Sequence, residues 1–459
     1  MARGEEDAAS PRRVLSPARV APTGGVLSSF LLSTLALGCY ARHVPTPPLA
    51  ADAGRVERDA GTDAGGVDAE VPLPWERTED PGPDARPSDD PSARDWSHPP
   101  ELEPDEPCCE PVGAPVDVPF SPAPWGIPAI AWNGAGWGLL YPRETTAFQA
   151  LDPTGALEGP LRFYRDRPPS ETGEDLGFDW AAGRYFTILL ESVDDTPRTV
   201  VGLLDRRGVI ATPFTDLGPV RAAGFVDHRS RWMAVRREPD GFGSRRVAVM
   251  ELDLVLRPIG EAVAFEGDGS PLGVVGLKSR AVAFVLTAGN TIRAWELTPP
   301  IEASLGPGVA FPELAPVSDY TGLRVTRLRN RAVVVQAPSA AGPGSIATYD
   351  PFEHDARLHA YPVEGTSPFG RESARGAAGM DEIGVIATCT VFHREDGSGG
   401  VLLRVLGAEG EAIGAPVIVE ERPAASDACA VGATGDAIMF AWPRAASGAV
   451  RVQRFRLRR

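Results

Sequence analysis

The sequence predicts an all-β chain, and three observations carry that prediction. Pairs of apolar runs, each pair folded around a short polar or glycine-containing turn, recur along most of the 459 residues. They recur in steps of about fifty residues, a period that marks a repeat architecture. No amphipathic pattern of helical period follows Cys39.

The paired runs read "PAIAWNGAGWGLLY", "LGFDWAAGRYFTILL", "AAGFVDHRSRWMAVR", "LGVVGLKSRAVAFVL", "LRVTRLRNRAVVVQA", "AGMDEIGVIATCTV" and "ACAVGATGDAIMFAW". Each is a hairpin signature. The second run starts near Trp137, Tyr185, Trp232, Ala281, Ala332, Gly384 and Ala437. A second anchor follows most hairpins, as in "AFQALDPTGALEGP" and "VVGLLDRRGVIATP", where a strand ends near an acidic residue, turns and restarts. Each unit therefore carries four short strands. Seven such units without helices predict a seven-bladed β-propeller. The inner strands are nearly continuous apolar runs, as expected where both faces are covered. Trp137, Tyr185 and Trp232 are expected to pack between blades, with lining a central channel as the alternative.

"GAPVDV" from Gly113 echoes "GAPVIV" from Gly414. The second copy reads as the outermost strand of unit six. Unit seven ends at "RVQRFRLRR", its third strand, so Val116 to Phe120 is expected to supply its fourth and close the ring. The pattern "WNGAGWGLLY" followed by "LDPTGAL" and "LDRRGVI" resembles the propeller repeats of bacterial surface lipoproteins. The resemblance runs from about Pro115 to Arg459 and implies architecture, not chemistry.

The front of the chain reads differently. "VLSSFLLSTLALGC" (Val26 to Cys39) is apolar for about twelve residues, too short for a membrane span but fit for a signal-peptide core behind Arg12, Arg13 and Arg19. Its end, Ala36 to Cys39, resembles a bacterial lipobox, which implies lipidation at Cys39. A plain secretory peptide and a buried helix are the alternatives. From Tyr40 to Val112 there are eighteen Asp and Glu against six Arg, or −12 of the chain's net charge of −17. That composition cannot bury enough apolar surface to order itself. The organisation expected is a signal region over 1–39, a disordered acidic tether over 40–112, which resembles the tethers of surface and periplasmic lipoproteins, and a propeller over 113–459.

Signals for chemistry are sparse. No "GxSxG", "HExxH" or "GxxxxGK[ST]" motif occurs, and no cofactor is expected. The acidic balance argues against nucleic acid as a partner. His354 and His359 in "HDARLH" read as loop histidines more than as a metal pair. Carboxylates between second and third strands are the candidate face residues: Glu191, Asp194 and Asp195; Glu238 and Asp240; Glu395 and Asp396. Solvated turns are the competing reading. Arg454, Arg456 and Arg458 share one face of the last strand, which is either simply exposed or docks the acidic tether. Cys389 and Cys429 are placed to form a disulfide across a blade interface. Cys108 and Cys109 have each other or another chain as pairing options. The function expected is an exported, lipid-anchored binding or scaffold module for an envelope protein or glycan, located in the outer membrane, periplasm or cell surface. A propeller glycosidase or lyase, or a structural envelope protein without a ligand, are the alternatives.

Overall fold

The computed structural model describes residues 99–119, 127–141, 145–166, 177–193, 196–238, 246–287, 291–301, 305–311, 323–337, 344–361, 369, 371–423, 428–444 and 449–458. The signal region, Cys39 and nearly all of the acidic tether lie outside them. So do Asp194, Asp195, Asp240 and Phe120.

Strand β1 (Cys109–Pro119) precedes the repeats. The first repeat holds β2 (Ala129–Trp132), β3 (Trp137–Tyr141), β4 (Thr145–Leu151) and β5 (Leu157–Asp166). The second holds β6 (Phe178–Ala181), β7 (Arg184–Val193), β8 (Thr196–Leu204) and β9 (Ile210–Asp216). The third runs through β10 (Val220–Val226), β11 (Arg231–Arg237) and β12 (Arg246–Leu252) into a 19-residue strand, β13 (Pro258–Gly276). The fourth continues with β14 (Ala281–Thr287), β15 (Ile292–Leu297) and β16 (Val309–Ala310). The fifth holds β17 (Leu323–Leu328), β18 (Arg331–Gln336), β19 (Gly344–Asp350) and β20 (Asp355–Tyr361). The sixth holds β21 (Arg371–Met380), β22 (Val385–His393), β23 (Ser398–Gly407) and β24 (Val417–Pro423), and the seventh β25 (Ala430–Thr434), β26 (Ala437–Arg444) and β27 (Ala449–Leu457).

Every neighbouring pair is antiparallel, and the result is an all-β propeller. Five sheets are separate and four-stranded, and one sheet has seven strands, β10 to β16. The expectation of seven separate blades is corrected to five. The reason lies in β13. Its first half pairs with β12 and its second half with β14, from Gly269↔Thr287 to Gly276↔Ala281, without a break between them. "EGDGSP" has the composition of a turn, yet the strand runs through it. Ser270 is buried there and accepts a hydrogen bond from Arg237 Nη2 at 3.0 Å.

Burial on both faces explains the apolar runs. In β14, Ala281, Ala283 and Val285 enter one cluster with Val235, Val249 and Trp295, while Val282, Phe284 and Leu286 enter another with Ala332, Val334 and Tyr349. Each large apolar side chain so buried contributes about 1.5–3 kcal/mol. Trp137, Tyr185 and Trp232 are fully buried in three different clusters between successive repeats, so they pack and do not line a channel. On the inner strands the backbones themselves meet. A side chain at Gly276 would overlap the backbone of Phe225, and one at Gly379 the carbonyl of Arg327.

Numbered by its repeat, the seventh sheet has the order β1-β27-β26-β25. The pairing runs from Cys109↔Leu457 to Pro119↔Ala449, so the strand reaches further back than Val116. Its charges match its neighbours. Asp117 takes two hydrogen bonds from Arg451, at 2.7 and 2.9 Å, and lies 3.6 Å from Arg444. Glu110 lies 3.8 Å from Arg458, and Asp436 lies 3.8 Å from Arg456. Arg456 is thus engaged within its own sheet, while the partner of Arg458, Glu110, belongs to the acidic 40–112 segment itself.

The "GAPV" echo has a backbone cause. Gly113 and Gly414 both adopt positive φ, 73° and 69°, which glycine adopts without a Cβ penalty. At Gly113 the register of β1 on β27 shifts, and Gln453 Nε2 reaches the carbonyls of Val112 and Gly113 at 3.3 and 3.2 Å. In the first repeat, Gln149 Nε2 caps Glu158 and Gly159 in the same way.

Cys389 and Cys429 are joined by a disulfide between the sixth and seventh sheets, with Cα atoms 6.1 Å apart. Cys108 and Cys109 are free thiols, buried in the same apolar cluster. They are not paired with each other.

Candidate functional site

In a four-stranded meander, the turns from first to second strand and from third to fourth strand emerge on one face, and the turns from second to third on the other. The carboxylates singled out in the sequence belong to the second face. Glu191 lies on β7. Glu238 sits just after β11, where its amide donates to Arg246 O at 2.9 Å and its carboxylate lies 3.5 Å from Arg236. Glu395 and Asp396 form the β22–β23 turn, where Asp396 Oδ1 accepts from Ser398 N and Oγ at 2.8 and 2.6 Å. Those two bonds hold the Asp396 carboxyl below its ordinary range. Glu238 and Asp396 thus serve their own turns, on separate blades. Among the described residues no three His, Cys, Asp or Glu side chains are grouped to hold a metal.

His354 has its Nδ1 2.7 Å from Glu296 Oε1, and the Tyr349 hydroxyl donates to that same oxygen at 2.5 Å. Arg280 Nη1 donates to Glu296 Oε2 at 2.8 Å and to Pro351 O at 2.9 Å. His354 therefore latches one blade to the next. His359 lies on β20 and joins no metal cluster among the described residues.

Charge does converge on the first face, at the mouth of the ring. Four inner hairpin tips bound a cavity of about 230 Å³: the 3-10 turn Asp227–Arg229, Leu277 with Lys278, Arg327 to Asn330, and Asp381. Arg327 donates to Asp381 Oδ2 from Nε at 3.0 Å and from Nη2 at 2.6 Å. The other Asp381 oxygen accepts from Arg329 N at 2.6 Å, and its carbonyl accepts from Arg329 Nε at 3.0 Å. Burial works against the Arg327 charge, but Asp381, Asp179 and Asp227 together raise its pKa above the ordinary value. Asp179, on β6, is reachable by water yet crowded by the surrounding protein. That crowding pushes its carboxyl up to about 6, against the hydrogen bond from Trp180 N and the charge of Arg327, with Asp227 adding to the rise.

The mouth residues stand in turns that the sequence shows plainly, "VDHRSR", "LKSR", "LRNR" and "MDEIG". Each looks like an ordinary hairpin turn. The available signal was their shared place in the repeat, at the tip of the innermost hairpin, where adjacent units must meet.

No described helix is long and apolar enough to cross a membrane. No family model matches the chain, and no curated relative matches it. Solved structures do. The chain is similar to the β-propeller domain of Cps50 (Swd1) from Myceliophteria thermophila, at 11% identity and TM-score 0.44 over 74% of this chain and 98% of that one. It is similar to apo AztD from Citrobacter koseri, at 14% identity and TM-score 0.39 over 69% of this chain and 80% of that one. A third is the hydrazine synthase of Kuenenia stuttgartiensis, at 10% identity and TM-score 0.46 over 74% and 97%.

Proposed function

We propose that the protein is an exported, lipid-anchored propeller that acts as a binding or scaffold module for an envelope protein or glycan, gripped at the mouth of the ring. The observation carrying this reading is the cavity where hairpin tips of four repeats bring Asp227, Lys278, Arg327, Arg329 and Asp381 together. On the same face, the turns from third to fourth strand present exposed Leu157, Val209, Leu254, Val255 and Phe352. That face thus offers a partner both charged groups and apolar contact area. We read the ring as having seven positions, two of them filled by the seven-stranded sheet. The seven buried clusters, each between successive repeats, support this.

The anchor rests on "ALGC" and the apolar run before it. Cys39→Ser is expected to release the protein from the membrane fraction and abolish fatty-acid labelling. The binding face is tested by presenting immobilised protein with envelope proteins and glycans. Lys278→Glu and Arg329→Glu should abolish retention of whatever binds, while Glu395→Lys on the opposite face should not. Retention unchanged by the mouth variants would remove the mouth from the reading. One observation favours an enzyme instead, the raised carboxyl of Asp179 beside Asp227. Release of reducing ends from envelope glycans, lost in Asp179→Asn, would establish that second reading.

A further inference from the structure

Round the mouth, the charges are sorted. Among the lining charges Asp227 comes from the third repeat, Lys278 from the fourth, and Arg327 and Arg329 from the fifth. Asp381, from the sixth, is already committed to Arg327 and Arg329. Two charges remain open. Among the described residues, the Asp227 carboxylate accepts no hydrogen bond and the Lys278 ammonium has no ion pair. They stand on neighbouring tips held together by His228 N donating to Lys278 O at 2.7 Å.

The cavity between them, about 230 Å³, falls below the roughly 300 Å³ at which pockets for drug-sized molecules begin. Its occupant is therefore small. A simple anion would leave the Asp227 carboxylate facing it, and a simple cation would face Lys278 and Arg329. A group carrying both charges a few bonds apart answers both walls. We infer that the mouth binds the ammonium–carboxylate group of an amino-acid-like ligand, the ammonium against Asp227 and the carboxylate against Lys278 and Arg329. This rests on the reading of the mouth as the binding face. It narrows the envelope partner to one that displays both charges on a single residue, as a peptide ending in an amine-bearing residue such as lysine does.

The test titrates the full chain with glycine, alanine and lysine, and in parallel with methylammonium acetate, which supplies the same two charges unlinked. Calorimetry and melting temperature are the readouts. The linked probes should bind and raise the melting temperature, while methylammonium acetate at equal concentration should not. Asp227→Asn and Lys278→Gln should each weaken binding at least about tenfold, as expected when one partner of a charge pair is truncated. Both side chains are solvent-facing, so the variants should melt like the parent without ligand. Equal responses to linked and unlinked charges would overturn the inference, as would unchanged binding in the double variant or no response to any linked probe. If the linked probes fail while these variants still abolish capture of an envelope component, the ligand class falls and the mouth stands. If capture is also unchanged, the mouth falls with it.

Discussion

The ring is joined in opposite ways at two places. Between the third and fourth repeats a single strand, β13, belongs to both neighbours, and the chain itself makes the joint. In the seventh sheet the outermost strand, β1, lies more than three hundred residues from its partner β27. Nothing covalent links those two strands locally. The second joint is therefore reinforced by other means: Asp117 between Arg451 and Arg444, Gln453 capping the bulge at Gly113, and the Cys389–Cys429 disulfide beside it. Where connectivity is local, the backbone carries the joint and side chains only add to it, as Arg237 does on Ser270. Where it is long-range, they must make up the closure entropy.

The comparison can be broken most severely by deleting Cys109–Pro119. That removes the partner of β27 and exposes Val118 and the cluster holding Met439, Val450 and Val452. The expected result is aggregation, or a fall in melting temperature of about 10 °C or more, since each kcal/mol shifts a large domain by a few degrees. Light scattering and calorimetry decide it. Next in size, Cys389→Ala with Cys429→Ala should cost about 4 kcal/mol by loop-entropy reasoning for a crosslink spanning 40 residues. Denaturant titration of oxidised and double-variant protein measures that. A two-glycine insertion between Asp268 and Gly269 should cost less, about 1–2 kcal/mol of lost pairing, because each half of β13 keeps its own partner. If this insertion is as damaging as deleting β1, continuity matters more than the comparison allows.

The smallest effect sharpens the contrast through its sign with pH. Arg451 hydrogen bonds, aided by the charges of Arg451 and Arg444, hold the Asp117 carboxyl below its ordinary range. Its contribution is present above that range and is lost as pH falls through the lowered value. Asp117→Asn should therefore cost about 0.5–1 kcal/mol near neutrality, discounted for a half-exposed pair, and little in acid. Asp179 runs the other way. With its carboxyl pushed up to about 6, folding penalises its charge, and stability falls as pH rises from about 4 to 6. Asp179→Asn should flatten that interval and raise the melting temperature above pH 6. Melting curves of both variants from pH 3.5 to 8 check the pair of slopes.

Hairpins such as "RLRNRAVV" and "VGATGDAIMF" were legible because local apolar pattern and turn chemistry agree there. The outer strand at Gly113 was legible through its echo, which records a shared positive-φ glycine. Strand β13 was not legible, because Gly267, Gly269 and Pro271 signal a turn and only burial of Ser270 between paired strands overrides them. The candidate site was only partly legible, for a different reason. Glu395–Asp396 attracted attention as adjacent acids, but adjacency in sequence is satisfied by the turn itself. Asp227, Lys278, Arg327 and Asp381 are each unremarkable alone, and only ring closure puts them together. The regular Asp turns show the same limit. Leu256 takes positive φ, 63°, where Gly155 and Gly208 stand in the first two repeats, and it is held there by burial in the core beside Trp232 and Leu252.

The residues just ahead of β1 set how the molecule would carry load. Cys108 N donates to Ala415 O at 2.8 Å, Ala415 N donates to Glu106 O at 2.6 Å, and Arg458 N donates to Cys108 O at 2.9 Å. A pull on the chain from its N-terminal side reaches this three-bond clasp before it reaches the first rung of β1. The clasp fastens to the sixth sheet and to the end of β27 at once, so tension is shared between two blades and cannot peel one strand rung by rung. A molecule drawn on from that side would yield abruptly and late, and until then its ring would stay round.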